Sequence, residues 1–266
     1  MNIDISVIVP TFRRPGPLAE AVRSALGQHG VTLEVSVRDD SPERSGKSVI
    51  DTFADERVRY SAHEPPTGGR PAKVRNAGIA EARGRFFHFL DDDDRVFPGA
   101  YRKLADALDA NPNVGFAFGT VSTFGADEAA VREEQNFFDR ARRRALRSRG
   151  LRPLLLAQLL FGETLLVNSA GLIRAECARA IGGYDESLST FEDVEFYVRA
   201  LSRFGAVFID EPVLARRVGP SLVHDLGSAE PIRATYERMQ RSFREGEGMV
   251  RLLALKLAAR TLLRWT

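Results

Sequence analysis

An open, doubly wound α/β sheet is the architecture this sequence predicts, and three observations predict it. Short β-branched or aromatic runs alternate with stretches of helical spacing from the N-terminus to about residue 108. Apolar runs of this length between turn signals read as buried strands. Three of them end in clustered polar residues, and parallel strands bring such ends to one edge of a sheet, where open α/β folds bind ligands.

Residues 3–9 are β-branched and close on Pro10, a first strand. In 17–28 the apolar positions Leu18, Ala21, Val22 and Leu26 have helical spacing. Residues 31–37 form a second strand that runs into Asp39-Asp40. A short helix follows at 48–53 and a short strand at 58–60. The stretch 65–71 holds three prolines and two glycines and must be a loop. Residues 72–82 are helical in pattern, with Gly84 expected as the cap. Residues 86–90 are the next strand and 114–121 another. Residues 127–152 are charged and expected to be helical or partly mobile, and 154–166 are apolar. Later strands are expected at 171–173 and 207–209, helices at 175–180 and 191–204, and a helical tail from Ile232 onward.

A chain of 266 residues suits one large α/β domain with a small appendage, here divided at 1–228 and 229–266. The net charge of +2 says little about partners, but its distribution says more. Eight arginines stand against three acids between Arg132 and Arg152, and four basic residues against none in 249–266. The one cysteine, Cys177, excludes an intramolecular disulfide and suits a reducing compartment. The N-terminus runs straight into a strand pattern rather than a leader, and the longest apolar stretch, 154–167, is interrupted by Gln158, Gly162 and Glu163. A cytoplasmic protein is expected, soluble or peripheral on the inner face of a membrane.

The junction of Phe86-Phe87-His88-Phe89-Leu90 with Asp91-Asp92-Asp93-Asp94 carries the most chemistry. Two carboxylates about 5 Å apart repel by roughly 3 kcal/mol at an effective dielectric near 20. Four at the mouth of a buried strand imply a cation, and oxygen ligands suit Mn²⁺ or Mg²⁺ beside phosphate groups. A solvated acidic loop is the alternative, although such loops usually follow polar segments. The other strand ends supply Pro10-Thr11-Phe12-Arg13-Arg14 and Asp39-Asp40-Ser41. The first loop lacks G-x-G-x-x-G and no P-loop sequence exists, so a nucleotide would be held by side chains and a metal. Asp39-Asp40 either accept hydrogen bonds from a base or ribose or serve a turn.

In order and spacing, Val7-Ile8-Val9-Pro10-Thr11-Phe12-Arg13, Asp39-Asp40-Ser41, Arg75-Asn76-Ala77-Gly78 and Phe89-Leu90-Asp91-Asp92-Asp93-Asp94 resemble the family 2 glycosyltransferases. Ile181-Gly182-Gly183-Tyr184-Asp185-Glu186 and Glu192-Asp193 extend the likeness, which covers roughly residues 3–218. Any one motif is weak; six in order are specific. The resemblance implies a GT-A fold, with a nucleotide-sugar half at about 1–120 and an acceptor half at about 121–228. It implies that Pro10, Thr11, Phe12 and Arg13 border the donor, that Asp39 or Asp40 meets the nucleobase, and that Arg75 helps hold the nucleotide. Asp91–Asp93 contain the family's D-x-D element; Asp93 is the expected metal ligand, with Asp91 and Asp92 near ribose and metal. Asp193 is the expected general base, with Glu192 as its understudy, although carboxylates also favour helix N-termini for the dipole alone.

The chain also departs from the family pattern. Ser41-Pro42 stands where Gly-Ser is usual. The histidine common after the last strand is replaced by Val218 or Gly219, leaving His224 as a candidate metal or phosphate contact. His88, inside a strand, reads as structural.

The arginines at 140–149 and the tail stripe Lys256, Arg260 and Arg264 are mixed with leucines and Trp265, a pattern suited to an anionic membrane surface. A docked helix or another subunit is the alternative. Nucleic acid is not expected, because the basic runs lack interleaved aromatics. The expected function is inverting transfer from a nucleotide-diphospho-sugar, UDP-sugar favoured, to a hydroxyl of a saccharide or lipid-linked acceptor. The rivals are a nucleotidyltransferase, whose glycine-rich first loop is missing, and a non-catalytic nucleotide-sugar-binding module.

Overall fold

The computed structural model describes residues 2–161, 165–188, 190–219 and 230–263. Its first half follows the alternation: β1 (Ile5–Thr11), α1 (Pro15–Leu26), β2 (Leu33–Asp39), α2 (Lys47–Ile50), β3 (Val58–Ala62), α3 (Pro71–Glu81) and β4 (Phe86–Phe89). Val7, Ile8, Val9, Val35 and Val37 are wholly buried, as strands covered by helices on both faces require. Pro15 and Pro71 sit in the first turns of α1 and α3, where a missing N–H costs nothing and the fixed φ suits the helix. Leu18, Ala21, Val22 and Ala25 bury one face of α1.

Beyond β4 come β5 (Arg95–Val96), α4 (Ala100–Ala110), β6 (Val114–Gly125), α5 (Glu128–Ser148) and α6 (Arg152–Phe161). A 3₁₀ turn (Asn168–Ala170), β7 (Gly171–Arg174), α7 (Ala175–Ala180), α8 (Glu192–Arg203) and β8 (Gly205–Val218) complete the sheet region. The strand order among the described residues is β3-β2-β1-β4-β7-β6-β8-β5. β1 pairs in parallel with β2 and β4, β2 with β3, and β6 with β8. β7 lies antiparallel between β4 and β6, and β5 antiparallel to β8. The register sets Thr11 opposite Asp39 and Ile8 opposite Phe89, so the polar ends of β1, β2 and β4 reach the same edge.

Some expectations change. Gly84 does not cap α3, which ends at an extended Ala82. A Cβ at Gly84 would lie 2.4 Å from Ser6 N, so glycine is needed there for close approach to β1. The charged run after 127 is the helix α5, begun by Asp127, whose carboxylate accepts from Ala129 N and Ala130 N. Phe138, Ala141 and Ala145 bury its inner face. The strand expected at 207–209 grows to fourteen residues, and β5, only two residues long, has no periodicity to reveal it. The tail divides into α9 (Glu230–Glu247) and α10 (Met249–Leu263) at Gly248, whose φ is +90°. Both pack on α6. No described helix is long and apolar enough to cross a membrane. His224, Arg264 and Trp265 lie outside the described residues.

Candidate active site

A cavity of about 910 Å³ opens where β1, β2, β4 and β8 end, and its walls draw on both halves of the chain. Pro10 and Thr11 come from the end of β1 and Phe12 and Arg14 from the loop after it, Asp40 directly follows β2, and Asp91–Asp94 follow β4. Arg75 enters from α3, Glu192 and Asp193 from the start of α8, and Arg216 and Arg217 from β8. α5 closes one side with Glu134, Phe137 and Arg140, and α9 contributes Tyr236.

The two arginines after β1 separate. Arg13, with φ 58°, turns outward and pairs with the exposed Glu43 at 2.8 Å. Arg14 faces the cavity, its Nη1 2.6 Å from Asp93 Oδ2 and 3.7 Å from Asp92 Oδ1. The adjacent aspartates of β2 separate as well. Asp39 is buried and its carboxylate accepts from Ser41 N, Gly46 N and Tyr60 Oη at 2.8, 2.7 and 3.0 Å. Asp40 lines the cavity and fastens the proline-rich loop, accepting from Thr67 N, Thr67 Oγ1 and Gly69 N at 2.6, 2.7 and 2.6 Å.

Arg75 is buried and forked. One terminal nitrogen donates to Asp91 Oδ1 and the other to Glu192 Oε1, both at 2.7 Å, while its guanidinium lies over the Tyr184 ring. The next residue holds the other motif in place. Asn76 Nδ2 donates to Tyr184 O at 2.9 Å, and Tyr184 N donates to Asn76 Oδ1 at 2.8 Å. Gly183 (φ +72°) permits this, since a Cβ there would lie 2.4 Å from Asn76 Oδ1. Tyr184 stacks on Phe196 of α8 at 4.3 Å between ring centres, and both rings meet Phe89 of β4. Aromatic packing beneath the site thus joins the acidic turn to α8.

In the acidic turn, Asp91 pairs with Arg75, Thr11 Oγ1 donates to Asp92 Oδ2 at 2.7 Å, and Arg217 N donates to Asp94 Oδ1 at 3.0 Å. Asp94 Oδ2 is buried without a hydrogen-bond partner. Burial, with Thr11 and Arg14 opposing it and neighbouring carboxylates adding to it, pushes Asp92 up to about 7. Burial and Asp91 likewise raise Asp93, and raise Asp94 further. These groups resist ionisation even though Arg14 and Arg216 oppose the rise. No three His, Cys, Asp or Glu side chains among the described residues form a ready metal cage. The donor set still fits a hard cation, because such ions are often held by one or two carboxylates and by substrate phosphates. The turn's raised, partly unsatisfied carboxylates are the groups that a cation would relieve.

His88 is structural. Its ring meets Tyr101 Oη at 2.7 Å and Ser169 O at 2.9 Å, and burial pushes it down to about 4.

Phe191 precedes α8 at φ 56°, a conformation that costs a bulky residue on the order of 1–3 kcal/mol. The turn it makes directs Glu192 inward to Arg75 and leaves Asp193 half-buried at the cavity wall. Asp193 Oδ1 accepts from Val194 N at 2.8 Å. Burial and the Glu192 carboxylate push Asp193 up to about 7, opposed by Arg75.

Residues 6–181, well over half of the chain, match the family described as Glycosyl transferase family 2. The chain belongs to that family. This family 2 chain is 37% identical over 107 residues to the succinoglycan biosynthesis protein ExoO of Rhizobium meliloti, covering 40% of the chain and 30% of that protein. It is also 37% identical over 117 residues to the GalNAc(5)-diNAcBac-PP-undecaprenol beta-1,3-glucosyltransferase of Campylobacter jejuni, covering 43% of the chain and 37% of that protein. It therefore spans about a third of the length of these two curated relatives. Among solved structures it superposes on S. aureus TarS (residues 1–349) with a TM-score of 0.65 at 19% identity, covering 91% of this chain and 66% of that one. It also superposes on the mannosyltransferase PcManGT from Pyrobaculum calidifontis in complex with GDP-Man and Mn²⁺, with a TM-score of 0.67 at 17% identity and coverage of 98% and 70%. The fold of this family 2 chain is GT-A.

The sequence offers both Arg13 and Arg14 at the first strand end but only Arg13 was expected at the donor, because the backbone turn alone decides which of two adjacent arginines faces inward. Sequence reasoning also missed Arg216, Arg217, the α5 wall and Tyr236. The double arginine was a visible signal; the walls from α5 and α9 had none, since they arrive through tertiary packing.

Proposed function

We propose that this protein is an inverting glycosyltransferase that moves a sugar from a nucleotide-diphospho-sugar, UDP-sugar favoured, to a hydroxyl of a saccharide or lipid-linked saccharide in surface-glycan assembly. The carrying observation is that one cavity is walled at once by the acidic turn and by Asp193, with Arg75 bridging Asp91 to Glu192. Its volume suits a nucleotide-sugar. TarS has been crystallised with UDP and with UDP-GlcNAc, and PcManGT is seen in complex with GDP-Man and Mn²⁺, which supports a nucleotide-sugar donor.

Pro10, Thr11 and Phe12 border the donor in this reading. Asp40, which lines the cavity, takes the nucleobase or ribose contact in preference to Asp39, whose carboxylate is committed to its own loop. Asp93, aided by Asp91, would hold Mn²⁺ or Mg²⁺, with Asp92 toward the ribose. When bound, that ion neutralises charge on the departing diphosphate. Asp193 takes the proton of the acceptor hydroxyl as its oxygen attacks the anomeric carbon, and a pKa raised toward neutrality suits that exchange. Glu192, paired with Arg75, positions rather than abstracts. Residues 1–228 form the catalytic unit in this reading, and the tail adds one wall.

Titration calorimetry with UDP- and GDP-sugars, with and without Mn²⁺, tests the proposal on wild type and Asp93→Ala. Binding that needs Mn²⁺ and disappears in the variant supports it. Binding by Asp93→Ala equal to that of wild type would overturn the metal assignment, and metal-dependent binding without any transfer or donor hydrolysis would favour a binding module.

A further inference from the structure

Among the described residues, the exposed large apolar side chains fall in two places: Leu146 and Leu151 at the corner between α5 and α6, and Met249, Val250, Leu253 and Leu257 on α10. Helix α10 is the more informative. Leu255 and Ala259 are buried where it packs on α6 and α9. At about 100° per residue, the four exposed apolar residues gather on an arc facing away from that contact. Val250 is 84% exposed and Leu257 67%. A helix apolar all round belongs in a core or a lipid phase, yet this one has its second face in solvent.

The charges carried by α10 itself are all basic, with Glu247 of α9 paired to Arg251 at its start. Lys256 and Arg260 are exposed beside the apolar arc, and residues 249–266 contain no acid. Arg143, Arg147 and Arg149 are exposed around Leu146 and Leu151, and residues 140–161 contain no acid either. Both patches border α6, since α5 and α10 each pack against it.

We propose that α10 and the α5–α6 corner form a docking surface for an anionic phospholipid bilayer. The leucines and Val250 enter the boundary between headgroups and acyl chains, while the lysine and arginines meet lipid phosphates. A second copy of the chain fits less well. A two-fold interface sets the same patch against itself, and here the bases of α10 and of the α5–α6 corner would face one another with no acid inside either segment to pair them. The surface joins the cavity through the tail, because α9 carries Tyr236 into the cavity wall and continues into α10. The inference goes beyond the proposed reaction and gives it a place: a lipid-linked acceptor would be met where it is embedded.

Co-sedimentation of the full chain with phosphatidylcholine vesicles, with and without about a third phosphatidylglycerol, tests this. Wild type should pellet with the anionic vesicles, weakly with the neutral ones, and less as salt rises. Leu253→Glu with Leu257→Glu should lower the partition coefficient at least about tenfold, with melting temperature and donor hydrolysis unchanged. Lys256→Gln with Arg260→Gln should weaken binding and flatten its salt dependence. Wild type left in the supernatant, or the double glutamate variant partitioning like wild type, would overturn the proposal. So would light scattering that shows a wild-type dimer dissolved by the glutamates, because a second copy would then cover the face. Donor hydrolysis absent from every form would instead sink the reaction reading and leave the vesicle result standing.

Discussion

Arg75 Nη1 and Glu192 Oε1 lie 2.7 Å apart across 117 positions of sequence, both residues buried. The pair ties α3 to the start of α8, and the other arm of the guanidinium ties α3 to Asp91. A charge out of water is tolerable only when its partners are in place. The architecture of the proposed donor side and that of the base therefore depend on one side chain.

Arg75→Ala should destabilise the protein by about 3–5 kcal/mol, because Asp91 and Glu192 would be left as uncompensated neighbours. Arg75→Lys keeps the charge but not the fork, and should lose part of that stability along with nucleotide affinity. Urea unfolding of both variants checks this; an alanine variant within about 1 kcal/mol of wild type would show the bridge to be dispensable.

Asp193→Asn should bind donor normally and lose transfer by at least about a hundredfold. In wild type, transfer should climb with pH through about 7, as the Asp193 carboxyl gives up its proton. Stability should move the other way. A carboxyl whose folded pKa is raised above its unfolded value of 3.8 binds more protons folded than unfolded, so its share of stability falls as pH climbs from about 4 to about 7. The asparagine variant should therefore melt a few degrees above wild type at pH 8, by about 1 kcal/mol or more, with the gap closing toward pH 4. Equal melting curves at pH 8 would place Asp193 in ordinary solvent.

Arg14 supplies the positive charge nearest Asp93. Arg14→Ala should tighten Mn²⁺ binding to the nucleotide-free protein several-fold, since a competing cation is gone. Nucleoside diphosphate binding should weaken in the same variant. Calorimetry with Mn²⁺ alone reads the first effect, and unchanged affinity would count against any competition.

Gly84→Ala should cost about 1–3 kcal/mol, because the new methyl group would meet the β1 backbone at Ser6 N rather than a movable side chain. Thermal melting measures it. A neutral result would mean that the approach of residues 83–85 to β1 is slack.

Much of this was legible beforehand. Strands β1, β2 and β4 and helices α1 and α3 were readable because apolar spacing reports burial directly. The acidic turn stood out because buried strands seldom open into four carboxylates, while the Glu192-Asp193 pair stood out only beside the other motifs, since helix starts favour carboxylates for the dipole alone. The antiparallel β7, the two-residue β5 and the length of β8 were not readable, since pairing direction and short edge strands leave no period behind. Nor could spacing alone distinguish Asp39 from Asp40 or Arg13 from Arg14.

By itself, the order of residues determined an α/β sheet with acid at one mouth, a second acidic pair far along the chain, and a basic, leucine-rich tail, because periodicity and composition are local properties. Tertiary structure alone decided that Arg75 would reach both acidic groups, that Arg14 and Asp40 would face the cavity, and that α10 would cover α6 with one side while leaving the other bare. Those outcomes depend on which surfaces and turns meet, from 16 positions apart for Arg75 and Asp91 to 117 for Arg75 and Glu192, and no local pattern encodes such a meeting.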